Sequence, residues 1–241
     1  MMRYGQIEDE IAAGTAGVSL PVWARQVLDD VAEGRSDLAA VRHPLGFLCL
    51  PVERAGELGV CLHIWSPELR PVATTTSGVH CHSWDLVSFV LYGTLRNVRA
   101  RLSDTVPNLR PELGGATHRV FEVASRDGVD ELRPTGRTVR CTPGDEATFT
   151  AGDSYTLPAG VFHSTLIEHG PDAATVALGR QTPGRGDLSL GPLDTTAHQM
   201  RRQRSDPDET VRTTRRSAGR VAAAHPLRAG AHPWERGSAR R

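Results

Sequence analysis

Ser77–Gly93, SGVHCHSWDLVSFVLYG, is the stretch whose reading decides the fold. It opens with His80 and His82, two residues apart, and runs through Leu86, Val87, Phe89, Val90 and Leu91 to a closing glycine. Alternate side chains of an extended strand share a face, so the two imidazoles are predicted to point the same way at the head of a buried strand. A second element, Ala151–His163 (AGDSYTLPAGVFH), carries Gly152, Pro158, Gly160 and His163. There Pro158 and Gly160 shape a tight turn that delivers His163 to a strand start. His-x-His alone reads most simply as two surface histidines. The independent second element moves the reading to a joint site, in which His80, His82 and His163 present three nitrogens to one metal ion.

Working outward, short β-like runs recur at Phe47–Val52, Leu58–Trp65, Val79–Tyr92, Thr94–Arg101, Thr117–Val123, Arg137–Cys141, Glu146–Phe149, Ser154–Leu157, Ser164–Glu168 and Ala174–Leu178. Gly, Pro and Asp turns such as Pro143-Gly144-Asp145 separate them, a pattern of all-β sandwiches and barrels. Ser103–Gly115 reads as a long loop. Before the strands, residues 1–17 read as a mobile lead-in. Ser19 then stands as an N-cap for a helix with Pro21 in its first turn and apolar residues at helical spacing, stopped by Gly34. The expected organisation is a lead-in and helix over 1–45, a β-barrel over 46–183, and a disordered tail over 184–241.

Composition supports the tail. Hydrophobic residues make up 39% of the 241, low for a chain that folds throughout. Residues 1–196 hold 17 Arg against 24 acids, a balance of −7, while 197–241 hold 11 Arg against 4 acids, +7. Lysine is absent, which excludes Schiff-base chemistry. An aperiodic, Arg-rich run buries too little apolar surface to offset chain entropy. No apolar run reaches membrane-spanning length, and the start lacks a secretory pattern. Four cysteines without Cys-x-x-Cys spacing read as reduced thiols, so the expected location is cytoplasmic. No helix-turn-helix pattern flanks the strands, so no nucleic-acid partner is expected. Exposed barrel faces often pair, which leaves a homodimer compatible with the chain.

With both histidine elements in place, the chain resembles the cupin superfamily, small β-barrels with two histidine-bearing motifs. The first motif is met by His80, His82 and Gly93, although Gly78 stands too near for its opening glycine. The second is met by Gly152, Pro158, Gly160 and His163. The resemblance covers about Phe47–Gly179 and implies a double-stranded β-helix, or jelly roll, with ligands facing inward. It also implies a Glu ligand separated from Gly93 by six residues, where this chain has Leu86; Asp85 has the opposite strand parity. Three neutral ligands leave a 2+ ion its full charge, which favours an anionic co-ligand. Such a three-histidine set is similar to the thiol (cysteine) dioxygenase group, which implies Fe(II), O2 and oxidation of a small metal-chelating substrate. The group's cross-linking Cys would fall at Leu86. Its downstream Ser-x-His-x-Tyr is missing, and no Arg stands near Leu48, so cysteine itself is a doubtful substrate.

Other candidates surround this core. Tyr155 could supply an O–H, and His63 is a candidate acid–base group if it faces inward; the sequence leaves open whether His63 and Trp65 or Leu62 and Ile64 do so. Trp84 and Ser88 share the parity of the histidines and are candidate substrate contacts. Arg96 could bind a substrate carboxylate, with a solvated Arg as the plainer reading. Cys81 should point outward. Two functions are compatible with the sequence: Fe(II)- and O2-dependent oxidation, or a non-redox metal cupin (isomerase, lyase or small-ligand binding module) holding Zn, Ni or Mn.

Overall fold

The computed structural model describes residues 2–69, 75–105 and 115–226. Thirteen strands among them form two antiparallel sheets. In chain order these are β1 (Val41–Arg42), β2 (Leu48–Ala55), β3 (Leu58–Trp65), β4 (His80–Cys81), β5 (Trp84–Tyr92), β6 (Thr94–Asp104), β7 (Ala116–Arg126), β8 (Val129–Thr150), β9 (Ser154–Leu157), β10 (His163–Ile167), β11 (Ala173–Gln181), β12 (Asp187–Gly191) and β13 (His198–Arg201). One sheet runs β1-β2-β3-β11-β5-β9. The other runs β13-β8-β6-β10-β4-β12-β7, and a further pairing of β7 with β8 curls it back on itself. The all-β architecture expected from the sequence is observed, as two antiparallel sheets.

Among the described residues three helices, α1 (Tyr4–Ala12), α2 (Ala16–Ala32) and α3 (Pro207–Ala224), accompany the sheets. They cover one face of the six-stranded sheet: Ile7, Leu20, Leu28, Ala218 and Val221 pack with Leu48, Leu50, Leu62, Ile64, Phe89, Val176 and Leu178. The opposite face of that sheet meets the second sheet through Phe47, Trp65, Leu86, Val90, Leu95, Tyr155 and Leu157. Covered on both sides, β5 and β11 are apolar almost throughout instead of alternating. This arrangement settles the parity of β3. Leu62 and Ile64 face the helices, while His63 and Trp65 face the barrel interior.

Several expectations need correction. The lead-in contains α1, whose Tyr4 and Ile7 are buried and whose Glu8 meets Arg180 at 2.9 Å. The second helix begins at Ala16, three residues before the expected cap at Ser19, so Pro21 lies inside it. Pro143-Gly144-Asp145 is no turn; it lies within the 22-residue strand β8, where Gly144 and Asp145 form a bulge opposite Arg99 of β6. The expected run Val79–Tyr92 is two strands, because Ser83 carries the chain from one sheet to the other. The expected loop Ser103–Gly115 falls largely outside the described residues, and its start continues β6.

The tail departs most. Beyond residue 183, β12 pairs with both β4 and β7, β13 pairs with β8, and α3 packs on α2 and β5. The disordered reading of 184–241 therefore fails over 187–224, and 227–241 lies outside the described residues. The physical reason is the chemistry of α3's buried face. Thr210, Thr213, Thr214, Ser217, Ala218 and Val221 recur at helical spacing, small and hydroxylated instead of large and apolar. Tyr92 Oη shares a 2.9 Å hydrogen bond with Ser217 Oγ, Thr214 Oγ1 donates to Thr210 O and Thr210 Oγ1 to Asp206 O, so three of these four hydroxyls are buried with partners, while Thr213 Oγ1 has none.

Candidate metal centre

His80 sits in the two-residue strand β4, clasped between β10 and β12: it pairs with His163 on one side and Ser189 on the other. The Pro158–Gly160 turn locks the second motif against the first. Gly160 N donates to His82 O at 2.9 Å, and Ala159 N donates to Asp85 Oδ1 at 2.8 Å. Asp85 thus faces away from the imidazoles, as its parity predicts, and holds the turn that delivers His163. Gly93, at φ +84, closes the first motif against Asp172 and Ala173, where no Cβ would fit.

The three rings converge. Their centroids lie 4.8 Å (His80–His82), 4.5 Å (His80–His163) and 5.1 Å (His82–His163) apart. One nitrogen from each lies within 4.8 Å of the others, and among the described residues no carboxylate joins this cluster. Two rings are oriented by backbone: His80 Nδ1 is 3.0 Å from Gly78 O, and His163 Nδ1 is 3.0 Å from Val161 O. A carbonyl only accepts, so each Nδ1 carries the proton and each Nε2 keeps a lone pair for a ligand. His82 is stacked on Trp84 at 4.1 Å. Burial holds all three imidazoles below their ordinary pKa, with neighbouring histidines adding to this for His82 and His163; His163 falls to about 4. Near neutral pH the set is three neutral, lone-pair donors. Such a set fits a divalent first-row ion.

The donors line a cavity of about 470 Å³. Its wall includes Trp84, Leu86, Tyr155, His63, Cys49, Cys61 and Trp65, with His43, Arg54 and Arg202 also contributing. Leu86, seven residues before Gly93, faces this cavity as an apolar side chain. Tyr155 stacks on Phe149 at 4.6 Å, and burial pushes its hydroxyl's pKa up, an effect that Ser88 and Asn97 partly offset. Ser88 is 1% exposed, its hydroxyl directed at that of Tyr155. It is not among the residues that line the cavity. Arg96 also lies outside the cavity lining, on β6, paired with Glu146 at 2.8 Å and Glu168 at 3.0 Å. Cys81 points away from the imidazoles into a cluster with Val120, Val139, Phe162 and Leu190.

Sequence reading missed Cys49, Cys61, His43, Arg54, Asp187 and Arg202 in this wall. For Cys61 a signal existed, since it shares the strand parity of His63, whereas Cys49 joins it only through the pairing of β2 with β3. Arg202 and Asp187 come from beyond residue 183 and were hidden by the disordered reading of that segment.

No family profile and no curated protein sequence matches the chain. Among solved structures, similarity is found to the Fe(II) form of HppE, at 15% identity and a TM-score of 0.27 over 55% of this chain and 48% of that one. A second is hydroquinone 1,2-dioxygenase PnpCD in complex with Cd2+ and 4-hydroxybenzonitrile, at 16% identity and a TM-score of 0.31 over 66% and 77%. The chain thus spans about half the length of the first of these. No helix among the described residues is long and apolar enough to cross a membrane.

Proposed function

We propose that the chain is a non-haem iron oxygenase, in which His80, His82 and His163 hold Fe(II) and a small chelating substrate is oxidised by O2 in a thiol-dioxygenase-like reaction. The observation that carries this reading is the convergence of three neutral imidazoles on a 470 Å³ cavity, with Leu86 where a fourth, anionic ligand would stand. Bound there, the ion would supply Lewis acidity and redox chemistry, with coordination positions left open on the cavity side. The neutral donor set leaves the ion's charge uncompensated, so a thiolate or carboxylate of the substrate is the complementary group.

The chain's own residues bind, orient and exclude water. The Gly78 and Val161 carbonyls fix the tautomers of His80 and His163, which keeps both Nε2 atoms available. Trp84 restrains His82 by stacking and presents an apolar wall to the substrate. Tyr155, protonated at neutral pH, can donate a hydrogen bond from its hydroxyl into the cavity that it lines. Leu86, Phe47 and Trp65 keep the interior apolar.

The test is metal analysis joined to oxygen uptake. Protein purified anaerobically with Fe(II) is expected to hold one iron in the three-histidine site and to consume O2 with at least one small thiol in a panel of thiols, amino acids and catechols. His82→Ala should lose both. Tight zinc with no O2 uptake from the iron-loaded protein would overturn the oxygenase reading in favour of a non-redox metal cupin.

A further inference from the structure

A second donor cluster stands in the same cavity. Cys49, Cys61 and His63 bring two sulfurs and one ring nitrogen within 4.8 Å of one another. Their placement follows from strand register. Cys49 pairs directly with His63 across β2 and β3, Pro51 pairs with Cys61, and Cys61 and His63 are two apart on β3. All three side chains therefore leave the same face of the sheet, into the barrel. We propose that Cys49, Cys61 and His63 form a second metal site, distinct from the three-histidine face, that takes a thiophilic d10 cation of the zinc type.

Donor chemistry selects the ion. Two thiolates and a neutral imidazole cancel a 2+ charge, which the three-histidine face cannot do, and sulfur ligands favour zinc over harder ions. The surroundings are those of a metal-thiolate centre. Arg54 Nη2 lies 3.1 Å from Cys61 Sγ, a charged donor directed at sulfur that would steady a ligating thiolate from outside the coordination sphere. Gly59 makes that contact possible, since a Cβ there would stand 2.5 Å from Arg54 Nη1. Arg54 is exposed and lines the cavity together with Gly56, Glu57 and Leu58 of the β2–β3 turn, so the cluster has an approach from solvent.

A Cys49–Cys61 disulfide is the competing use of the same thiols. The two cysteines are diagonal, not directly opposed. Diagonal positions across an antiparallel pair lie roughly 7–8 Å apart at Cα, beyond the span a disulfide bridges without backbone movement. Metal ligation has no such limit, because the ion sits between the sulfurs.

The experiment is a Co2+ titration of the chelator-stripped, reduced full-length chain under argon. The expected result is two equivalents bound per chain, one of them producing a near-ultraviolet thiolate-to-cobalt charge-transfer band. Cys49→Ser and Cys61→Ser should each abolish the band and one equivalent. Cys81→Ser should keep both, and His82→Ala should keep the band while losing the other equivalent. Absence of the band in the unsubstituted chain, a measurement that needs no variant to fold, would overturn the proposal. So would a band that survives both cysteine substitutions together, or a Cys49–Cys61 disulfide found by peptide mass analysis of protein isolated without oxidant. Failure of the three-histidine reading looks different: the band persists, with a single equivalent bound.

Discussion

Leu86 concentrates the chemistry of the centre in one residue. A carboxylate in its place would face the cavity that the three imidazoles share. Leu86→Glu is expected to raise Fe(II) or Co2+ affinity, read by competition with a chelator, because an anionic ligand offsets the ion's charge. Without metal the same variant should be less stable by about 1–3 kcal/mol in urea unfolding, since a carboxyl group then lies buried without a partner. Gly93 is a second single-residue hinge of the argument. Its φ is +84, and a Cβ would stand 2.4 Å from Asp172 O and 2.7 Å from Ala173 Cα, both backbone atoms that cannot swing aside. Gly93→Ala is expected to cost at least about 2 kcal/mol, seen as a lower urea midpoint.

Among the elements, α3 changes most between sequence and structure. Its start is well specified: Asp206 Oδ1 accepts from Glu209 N at 3.1 Å, Pro207 follows as first residue, and Asp208 and Glu209 occupy the first turn. Asp206→Ala should cost about 1 kcal/mol in thermal or urea unfolding. These start signals were readable in SDPDE, as was the spacing of Thr210, Thr213, Thr214, Ser217, Ala218 and Val221. They went unread because hydrophobic periodicity is the signal usually sought, and this helix buries hydroxyls and a methyl. By contrast, β3 and β9 match their sequence-read bounds at both ends, since alternation and flanking turns mark them plainly. The three histidines were legible because two separate spacings agreed. The thiol cluster was not, because Cys49 and Cys61 meet only through the pairing of β2 with β3, and pairing is a tertiary fact.

For the molecule as a whole, acid sensitivity follows from what the barrel encloses. His43 stacks on Phe47 at 4.2 Å in the cavity wall. Its pKa is held well below the ordinary imidazole value, first by burial and then by the charge of Arg202. The folded chain keeps this ring neutral, while the unfolded chain protonates it near pH 6.5. The unfolded state then binds the extra proton, so stability is fully present above about pH 6.5 and is lost as pH falls towards the folded-state value. Metal-free protein is expected to show a melting temperature that drops below about pH 6.5, with a shallower drop in His43→Phe. A flat profile in the unsubstituted chain would contradict the burial of this ring.

The clasp on His80 reaches beyond the sequence interval that contains the ligands. All three imidazoles lie between residues 80 and 163, yet the two-residue strand bearing the first is wedged against 188–189, and the chain around it is stitched to Leu190 through Ser77 N and Val79 O. A protease nick after Pro183 would leave every donor atom in the polypeptide and still release one jaw of the vice. Such a clipped protein should bind Co2+ at the histidines far more weakly. The strand 187–191, part of the stretch that reads as disordered in the sequence, thereby becomes a part whose loss disarms the centre at a distance.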